Sequence, residues 1–208
     1  MIDSQSLILI GGGGHCKSVI DVAECAGFHI EGILDIPENV GKQVCGYPVI
    51  GTDDLIGKLV SHYLFMVTVG QIKDPSLRIK LHEQVINSGG RLATIVSPTA
   101  HVSRFAELGE GSVVMHQAMV NAEAKVGRGC IINTFANIEH DVVIGDYCHI
   151  STGAMINGGC TIGNATFIGS QSVINNGIVI GSDIIVPSGC IVRKNISVQG
   201  IYKDGLKT

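Results

Sequence analysis

The sequence has few aromatic residues, no large excess of positive or negative charge, and no long apolar run. Aromatic residues are 4% of the 208 residues and tryptophan is absent, so the core must consist of small aliphatic side chains. The net charge is −4 and no lysine–arginine cluster occurs, which argues against nucleic acid or an anionic membrane as the main partner. No apolar stretch is long enough to span a bilayer or to form a signal peptide.

The cysteines also lack the spacing of a metal site or a disulfide framework. There are seven of them, an odd number, and no CxxC pair. Neither a zinc ribbon nor a set of disulfides is therefore predicted, and a reducing cytoplasm is the expected location. With 45% hydrophobic and 15% charged residues the chain should fold, and its 28 glycines show no collagen period.

What the sequence does contain is a repeat of six residues. From Val96 to Val198, every sixth residue is Val, Ile or Leu. This period fits neither a helix nor a flat strand, but it fits a chain that turns a corner every six residues. Three such sides would close a triangular coil of 18 residues. The fourth residue after each aliphatic one is usually small, as a narrow interior requires, so four cysteines are predicted to be core residues: Cys130, Cys148, Cys160 and Cys190.

The 18-residue coil also appears as two columns of corner residues. One column is glycine and the other is mostly asparagine, with Glu139 in register: Gly109, Gly127, Gly145, Gly163 and Gly181, then Asn121, Asn157 and Asn175. Because glycine and asparagine tolerate a positive φ, we expect that conformation at these positions. The hexads resemble the left-handed parallel β-helix of hexapeptide-repeat acyltransferases. That resemblance, rather than the period, implies the left-handedness and a homotrimer with active sites between subunits.

Residues 1–92 have a different pattern, in which short apolar strands alternate with amphipathic helices. This predicts a small Rossmann-like α/β domain. An all-β domain, the parallel β-helix formed by the hexads, follows it over residues 93–208 and includes a short C-terminal tail. The turn "GGGGH" at 11–15 could hold a phosphate at a helix N-terminus, and Asp35 ends the second strand where a ribose is often bound. Cys16 replaces the last glycine of the dinucleotide motif, and any βα turn favours glycine, so the spacing leaves nucleotide binding open.

The stretch "NTFANIEHDVVIG" carries the strongest candidate for chemistry. His140 lies two residues after Ile138, which puts it at or just after a corner and outside the coil. A histidine whose second nitrogen donates to a carboxylate makes a good general base, and both Glu139 and Asp141 could supply that carboxylate. The alternative is a merely exposed polar corner. A zinc site built from His116, His140 and His149 is disfavoured by their wide spacing, and no metal is predicted.

The whole layout resembles the NeuD/PglD-type sugar acyltransferases, most specifically in "GGGGH" and "INTFANIEHDVVIGDYCHIS". The resemblance implies transfer of an acetyl group from acetyl-CoA to the C4 amine of a nucleotide-linked 4-amino-4,6-dideoxy sugar. By position it implies His140 as the catalytic base, with Asp141, which replaces a common Glu, raising its basicity. It implies substrate contacts at Gly13, Gly14, His15, Asp35, Gly70 and Asn133. Acetyl-CoA contacts are implied at His149, Gly158 and Ser170.

Three other functions are compatible with these residues. The same His–Asp pair could deprotonate a hydroxyl, as in O-acetylation of a sialic acid-type sugar. The solenoid could be inactive, leaving a non-catalytic sugar-nucleotide-binding protein. The glycine turn could hold a nicotinamide cofactor, although Cys16 and the short Rossmann unit argue against it.

Overall fold

The chain divides into two compact units. The computed structural model describes residues 6–202, and its contacts separate between Ser97 and Pro98, five residues after the predicted boundary. Residues 203–208 of the predicted C-terminal tail lie outside the described residues. None of the described helices combines the length and apolar character needed to cross a membrane.

The first unit is an α/β domain with one sheet. The strands of this sheet are β1 Ser6–Ile10, β2 His29–Leu34, β3 Gln43–Val44, β4 Tyr47–Gly51, β5 Leu64–Val67 and β6 Arg91–Leu92, and the short strand β7 Ile95–Val96 that follows is not part of it. Its helices are α1 Gly14–Cys25, α2 Ile56–Leu59 and α3 Ser76–Asn87, with 3-10 turns at Pro37–Asn39 and Asp53–Leu55. The sheet order is β3-β4-β2-β1-β5-β6, and every pair is parallel except β3–β4. This confirms the predicted α/β class.

The central strands of the sheet form where the sequence has continuous apolar runs, without alternation of apolar and polar residues. Strand β1 buries Leu7, Leu9 and their neighbours because a parallel sheet is covered on both faces. The β3–β4 hairpin, by contrast, was not predicted. Its two-residue turn is Cys45-Gly46, with φ of 49° and 88°. Turns with two positive φ values usually have the sequence Asn-Gly or Asp-Gly, so Cys-Gly gave no indication of a hairpin.

The second unit is the predicted left-handed parallel β-helix. Its strands are two or three residues long: β8 His101–Val102, β9 Glu107–Leu108, β10 Val113–Val114, β11 Met119–Val120, β12 Lys125–Val126, β13 Ile131–Ile132, β14 Asn137–Ile138, β15 Val143–Ile144, β16 His149–Ile150, β17 Met155–Ile156, β18 Thr161–Ile162, β19 Phe167–Ile168, β20 Val173–Ile174, β21 Val179–Ile180, β22 Ile184–Val186, β23 Ile191–Val192 and β24 Gly200–Ile201. Apart from β24, which pairs with β22, these strands pair with the third strand before or after them, giving three parallel faces.

The interior of the β-helix is a stack of aliphatic side chains in exact 18-residue register. Val114, Ile132, Ile150 and Ile168 are consecutive partners on one face and are fully buried. Among the predicted core cysteines, Cys130, Cys148 and Cys160 are fully buried and Cys190 is half-buried. Burial is the main cause that raises the pKa of Cys160, and a hydrogen bond with Cys130 does most to raise that of Cys148. A raised pKa leaves less of each thiol as the reactive thiolate at neutral pH.

The corners differ from the prediction in one respect. Positive φ values recur every six residues, but three residues after each aliphatic position: Gly111, Gln117, Glu123, Gly129, Phe135, Asp141, Tyr147, Gly153, Gly159, Ala165, Gln171, Gly177, Asp183 and Gly189. The glycine and asparagine columns do not have positive φ. The glycines are needed for a different reason, because a β-carbon on Gly163 would lie 2.5 Å from backbone atoms of Gly181 and Ser182 in the next coil.

Candidate active site

The β-helix places His140 and Asp141 at a corner. His140 follows strand β14 by two residues, and Asp141 occupies the positive-φ position with φ of 60°. Aspartate adopts this conformation more readily than most residues with a side chain. The turn folds the carboxylate back, so that Asp141 Oδ2 lies 2.7 Å from His140 Nδ1. The side chains are 61% and 63% exposed, which leaves the imidazole open to a ligand.

The contact with Asp141 fixes which nitrogen of His140 can act as a base. Because a carboxylate only accepts, Nδ1 must donate to it, and the lone pair of the neutral ring is then on Nε2. The same hydrogen bond is the main cause that raises the pKa of His140 above its ordinary value of 6.5. The pair thus has the geometry of a general base with an orienting acid.

Glu139, the other possible partner, has a different set of contacts. Its Oε1 accepts from Asn137 Nδ2 and its Oε2 from Asn121 Nδ2, both at 3.0 Å. These amides lower the pKa of Glu139, so it remains a carboxylate beside His140. Of the two acids that the sequence left open, Asp141 is the one that contacts the imidazole. The 18-residue register placed Asn121 next to Glu139, whereas the contribution of Asn137 was not foreseen.

Gly158 lies directly over the ring of His140. A β-carbon on Gly158 would be 2.7 Å from both His140 Cε1 and His140 Nε2. Gly158 is one coil after His140, so the register brings the two together. Any larger residue at this position would push the imidazole away or cover its basic nitrogen.

Of the residues predicted to contact acetyl-CoA, Gly158 lies over His140, whereas His149 and Ser170 lie on or just after the strands of a neighbouring face. His149 is only 8% exposed and packs edge-on against Phe167, with ring centroids 5.1 Å apart. Asn133 Nδ2 lies 3.1 Å from His149 Nε2. A residue predicted to contact the sugar substrate therefore lies next to one predicted to contact acetyl-CoA. Ser170 Oγ lies 2.9 Å from Ser151 Oγ, a partner that the sequence did not single out.

In the first unit the glycine turn and Asp35 meet at the carboxyl ends of β1 and β2. Asp35 Oδ2 accepts from Gly12 N at 3.1 Å and from Asn39 Nδ2 at 3.0 Å. Asp35 Oδ1 accepts from Ile36 N at 2.8 Å. A carboxylate offers about four acceptor positions, so one remains on Oδ1. Asn39 is the last residue of the 3-10 turn Pro37–Asn39, and no sequence pattern identified it.

The other substrate residues predicted in this unit also lie at this edge, whereas Asn133 lies in the β-helix beside His149. Gly13 is the N-cap of α1, and a β-carbon on Gly13 or Gly14 would have nothing within 4 Å. A β-carbon on Gly70 would lie 3.5 Å from His15 Cβ, so these two predicted residues are neighbours. The turn therefore leaves open space in front of the helix N-terminus, where backbone N–H groups lack intrahelical acceptors.

Two cavities of the first unit share Asp35 as a wall. One, of about 210 Å³, has apolar walls from Ile10, Leu34 and Leu81 together with the polar edge Thr52–Asp54. The second, of about 240 Å³, is lined by the following residues: Gly12, Lys17, Asp35, Asn39, Lys42, Gln43, Val44 and Val49. An apolar slot beside a pair of lysines, with a carboxylate between them, suits a base, a phosphate and a sugar hydroxyl.

Two family models match the chain, one in each unit. The PglD N-terminal domain matches residues 6–85, and the bacterial transferase hexapeptide model, with six repeats, matches residues 123–158. Together with the fold and the exposed His–Asp pair, they define the class as a hexapeptide-repeat acyltransferase. No curated protein sequence matches the chain significantly.

Solved structures narrow this class. The acetyltransferase domain of PglB from Neisseria gonorrhoeae, in complex with acetyl coenzyme A, is 31% identical with a TM-score of 0.87, over 95% of each chain. PerB from Caulobacter crescentus, in complex with CoA and GDP-perosamine, is 31% identical with a TM-score of 0.88, over 97% of this chain and 95% of that one. WeeI from Acinetobacter baumannii, at 22% identity over 89% of this chain and 94% of its own with a TM-score of 0.61, shares the fold. The chain belongs to the hexapeptide-repeat sugar acetyltransferases with a PglD-type N-terminal domain.

Proposed function

We propose that this protein is an acetyl-CoA-dependent N-acetyltransferase that acts on the C4 amine of a nucleotide-linked 4-amino-4,6-dideoxy sugar. The observation that carries the proposal is the 2.7 Å contact between His140 Nδ1 and Asp141 Oδ2, which directs a basic Nε2 outward beneath Gly158. The similarity to PglB with acetyl coenzyme A and to PerB with CoA and GDP-perosamine supports the donor and the kind of acceptor.

The reaction is a direct transfer that needs neither a metal nor a covalent enzyme intermediate. The amine nitrogen attacks the thioester carbon while His140 Nε2 takes one amine proton, and Asp141 stabilises the resulting imidazolium. The carbon–sulfur bond then breaks, and the proton passes to the departing CoA thiolate. The backbone N–H of Gly158 is our candidate for the donor to the oxyanion. The buried thiols of the β-helix, Cys130, Cys148 and Cys160, take no part.

The first unit is proposed to hold the nucleotide. The remaining acceptor position on Asp35 Oδ1 suits a ribose hydroxyl, and the open turn at Gly13 and Gly14 suits the diphosphate at the N-terminus of α1. Lys17 and Lys42 add positive charge next to the same carboxylate. His15 and Gly70, which are in contact range, form the adjoining wall.

A homotrimer is part of the proposal because one face of the β-helix exposes three large apolar side chains. Met119, Met155 and Ile191 lie in register on that face and are 37–41% exposed. A second copy of the chain would cover them and approach the open side of His140. A cytoplasmic location is proposed with it, because the cysteines of the described chain are free thiols.

The proposal is tested by measuring CoA release with a panel of acceptors. UDP-, dTDP- and GDP-linked 4-amino sugars, each in both C4 epimers, are incubated with acetyl-CoA, and the free thiol is followed. We expect one nucleotide and one epimer to give rapid release and an acetylated amine in the mass spectrum. Matched sugars with a hydroxyl at C4 are the control.

Two outcomes would contradict the proposal. Faster release with the hydroxyl sugars, or with a sialic acid-type acceptor, would make the protein an O-acetyltransferase. Binding of nucleotide sugars without CoA release from any of them would make it a binding protein.

A further inference from the structure

The side chain of Asn39 connects a positive charge to a negative one. Lys42 Nζ donates to Asn39 Oδ1 at 2.9 Å, and Asn39 Nδ2 donates to Asp35 Oδ2 at 3.0 Å. Turning the amide over would place its donors against the ammonium and its oxygen against the carboxylate, so only this orientation is stable. The ammonium polarises the amide, which strengthens the hydrogen bond to Asp35.

The carboxylate of Asp35 is held at both oxygens. Gly12 N donates to Oδ2 at 3.1 Å beside the amide of Asn39, and Ile36 N donates to Oδ1 at 2.8 Å. The glycine turn packs closely against the same group, since a β-carbon on Gly12 would lie 2.7 Å from Asp35 Oδ2. Of the roughly four acceptor positions of a carboxylate, one remains open on Oδ1, and the group cannot rotate without breaking these hydrogen bonds.

Asp35 is also a wall of both cavities of the α/β unit, the space where the nucleotide is proposed to bind. In Rossmann-like domains the acid that ends the second strand, about 20 residues after the glycine turn, binds the ribose 2′-hydroxyl. We propose that Asn39 and Lys42 are positioning residues that lock Asp35 with a single open acceptor position, and that this lock selects a ribonucleoside diphosphate over its 2′-deoxy counterpart. The identity of the ligand rests on the proposed function.

The lock is the source of the selectivity. A 2′-deoxynucleotide covers Asp35 but offers no donor to the open position on Oδ1. A carboxylate that is free to rotate would turn that oxygen towards water, whereas a fixed one is left unpaired, which costs binding energy. Selectivity should therefore depend on Asn39 and Lys42 although neither needs to touch the 2′-hydroxyl.

The test is calorimetry on the full chain with two pairs of probes, UDP with dUDP and GDP with dGDP. For whichever base binds, we expect the ribonucleotide to bind about 10- to 100-fold more tightly, the size of one hydrogen bond to a charged group. In Asn39→Ala this ratio should fall by about three- to tenfold, because Asp35 can then rotate. The turn itself should persist, since Lys42 N–H donates to the backbone oxygen of Asn39 at 3.0 Å.

Two lysine variants separate positioning from general attraction of the diphosphate. Lys42→Met removes the group that orients the amide, so the ratio should fall in the same direction as in Asn39→Ala, but less. Lys17→Met is the matched control, because Lys17 lines the same cavity but, within the described chain, hydrogen-bonds neither Asn39 nor Asp35. It should weaken both members of a pair by the same factor and keep the ratio.

The inference is overturned by equal affinities within each pair, by an equal loss for both members in Asn39→Ala, or by binding of none of the probes. A merely structural role of Asn39 would give the second of these results. The measurement does not depend on turnover. A ribose preference without acetyl transfer to any sugar would contradict the proposed function alone. Transfer to a dTDP-linked sugar as fast as to the UDP- and GDP-linked ones would contradict this inference alone.

Discussion

The two units of this protein organise their candidate sites in different ways. In the β-helix, residues 18 apart stack on one another, so Gly158 lies over His140 and Asn121 contacts Glu139. In the α/β unit, the surroundings of Asp35 come from three differently built segments: the glycine turn, the 3-10 turn that carries Asn39, and the β3–β4 hairpin. In the β-helix, a spacing of 18 residues thus predicts which residues are neighbours in space. No such spacing exists at the edge of the α/β sheet.

The difference has a consequence for substitutions. In the β-helix each coil packs on the next, so a change at a stacked position meets backbone atoms. At the edge of the α/β sheet, Gly13 and Gly14 face open space. Substitutions in the first region should affect either chemistry or stability, depending on which side of the coil they face, while those at the sheet edge should affect mainly binding.

The largest effect is expected from His140→Ala. Removing the general base should lower kcat by about 10²- to 10⁴-fold, because proton removal from the amine loses its acceptor. The measurement is CoA release with the preferred sugar. His62→Ala, an exposed histidine of the α/β unit outside the proposed sites, is the control and should keep full activity. Near-normal turnover by His140→Ala would show that His140 is not the general base.

Asp141→Asn should lower kcat by about 10- to 100-fold and also change the pH profile. His140 acts in its neutral form, and Asp141 raises its pKa above 6.5, so wild-type activity should fall as the pH drops through that raised value. Without the carboxylate the pKa falls, and the acidic limb of kcat/KM should move to lower pH. An unchanged limb would show that another group controls the profile.

The sequence predicts the structure of the β-helix in more detail than that of the α/β unit. The six-residue period predicted the interior positions of Ile138 and Cys148 and the outward position of His140, because every coil repeats the same backbone. It assigned the wrong cause to the glycine column, since positive φ and close approach of the next coil both favour glycine. In the α/β unit the alternating pattern predicted the main strands and helices, but nothing in it indicated that Asn39 would reach Asp35. Asn39 reaches Asp35 through the 3-10 turn Pro37–Asn39, and a single turn of this kind has no apolar period by which the sequence could reveal it.

The glycine column offers a direct test of stacking. In Gly163→Ala the new methyl group would meet the backbone of the next coil at 2.5 Å, whereas in Gly181→Ala, in the same column, the nearest atoms are 3.5 Å away. We expect Gly163→Ala to cost about 1–3 kcal/mol of unfolding free energy, as overpacking does, and Gly181→Ala far less. Thermal unfolding midpoints of the two variants measure this difference. Equal midpoints would mean that the coils can separate to accept a methyl group.

The smallest effect is expected from Gly13→Ala, which tests the open edge of the α/β unit. A methyl group at Gly13 meets no atom within 4 Å, so the fold should be unchanged, yet it would occupy space that we assign to the diphosphate. Calorimetry should show up to about tenfold weaker binding of the nucleotide diphosphate, since the loss is limited to about one hydrogen bond or a small steric clash. Gly57→Ala, whose added methyl group also meets no atom, is the matched control. If both variants bind equally well, the diphosphate lies elsewhere and the space at Gly13 is only a gap in a turn.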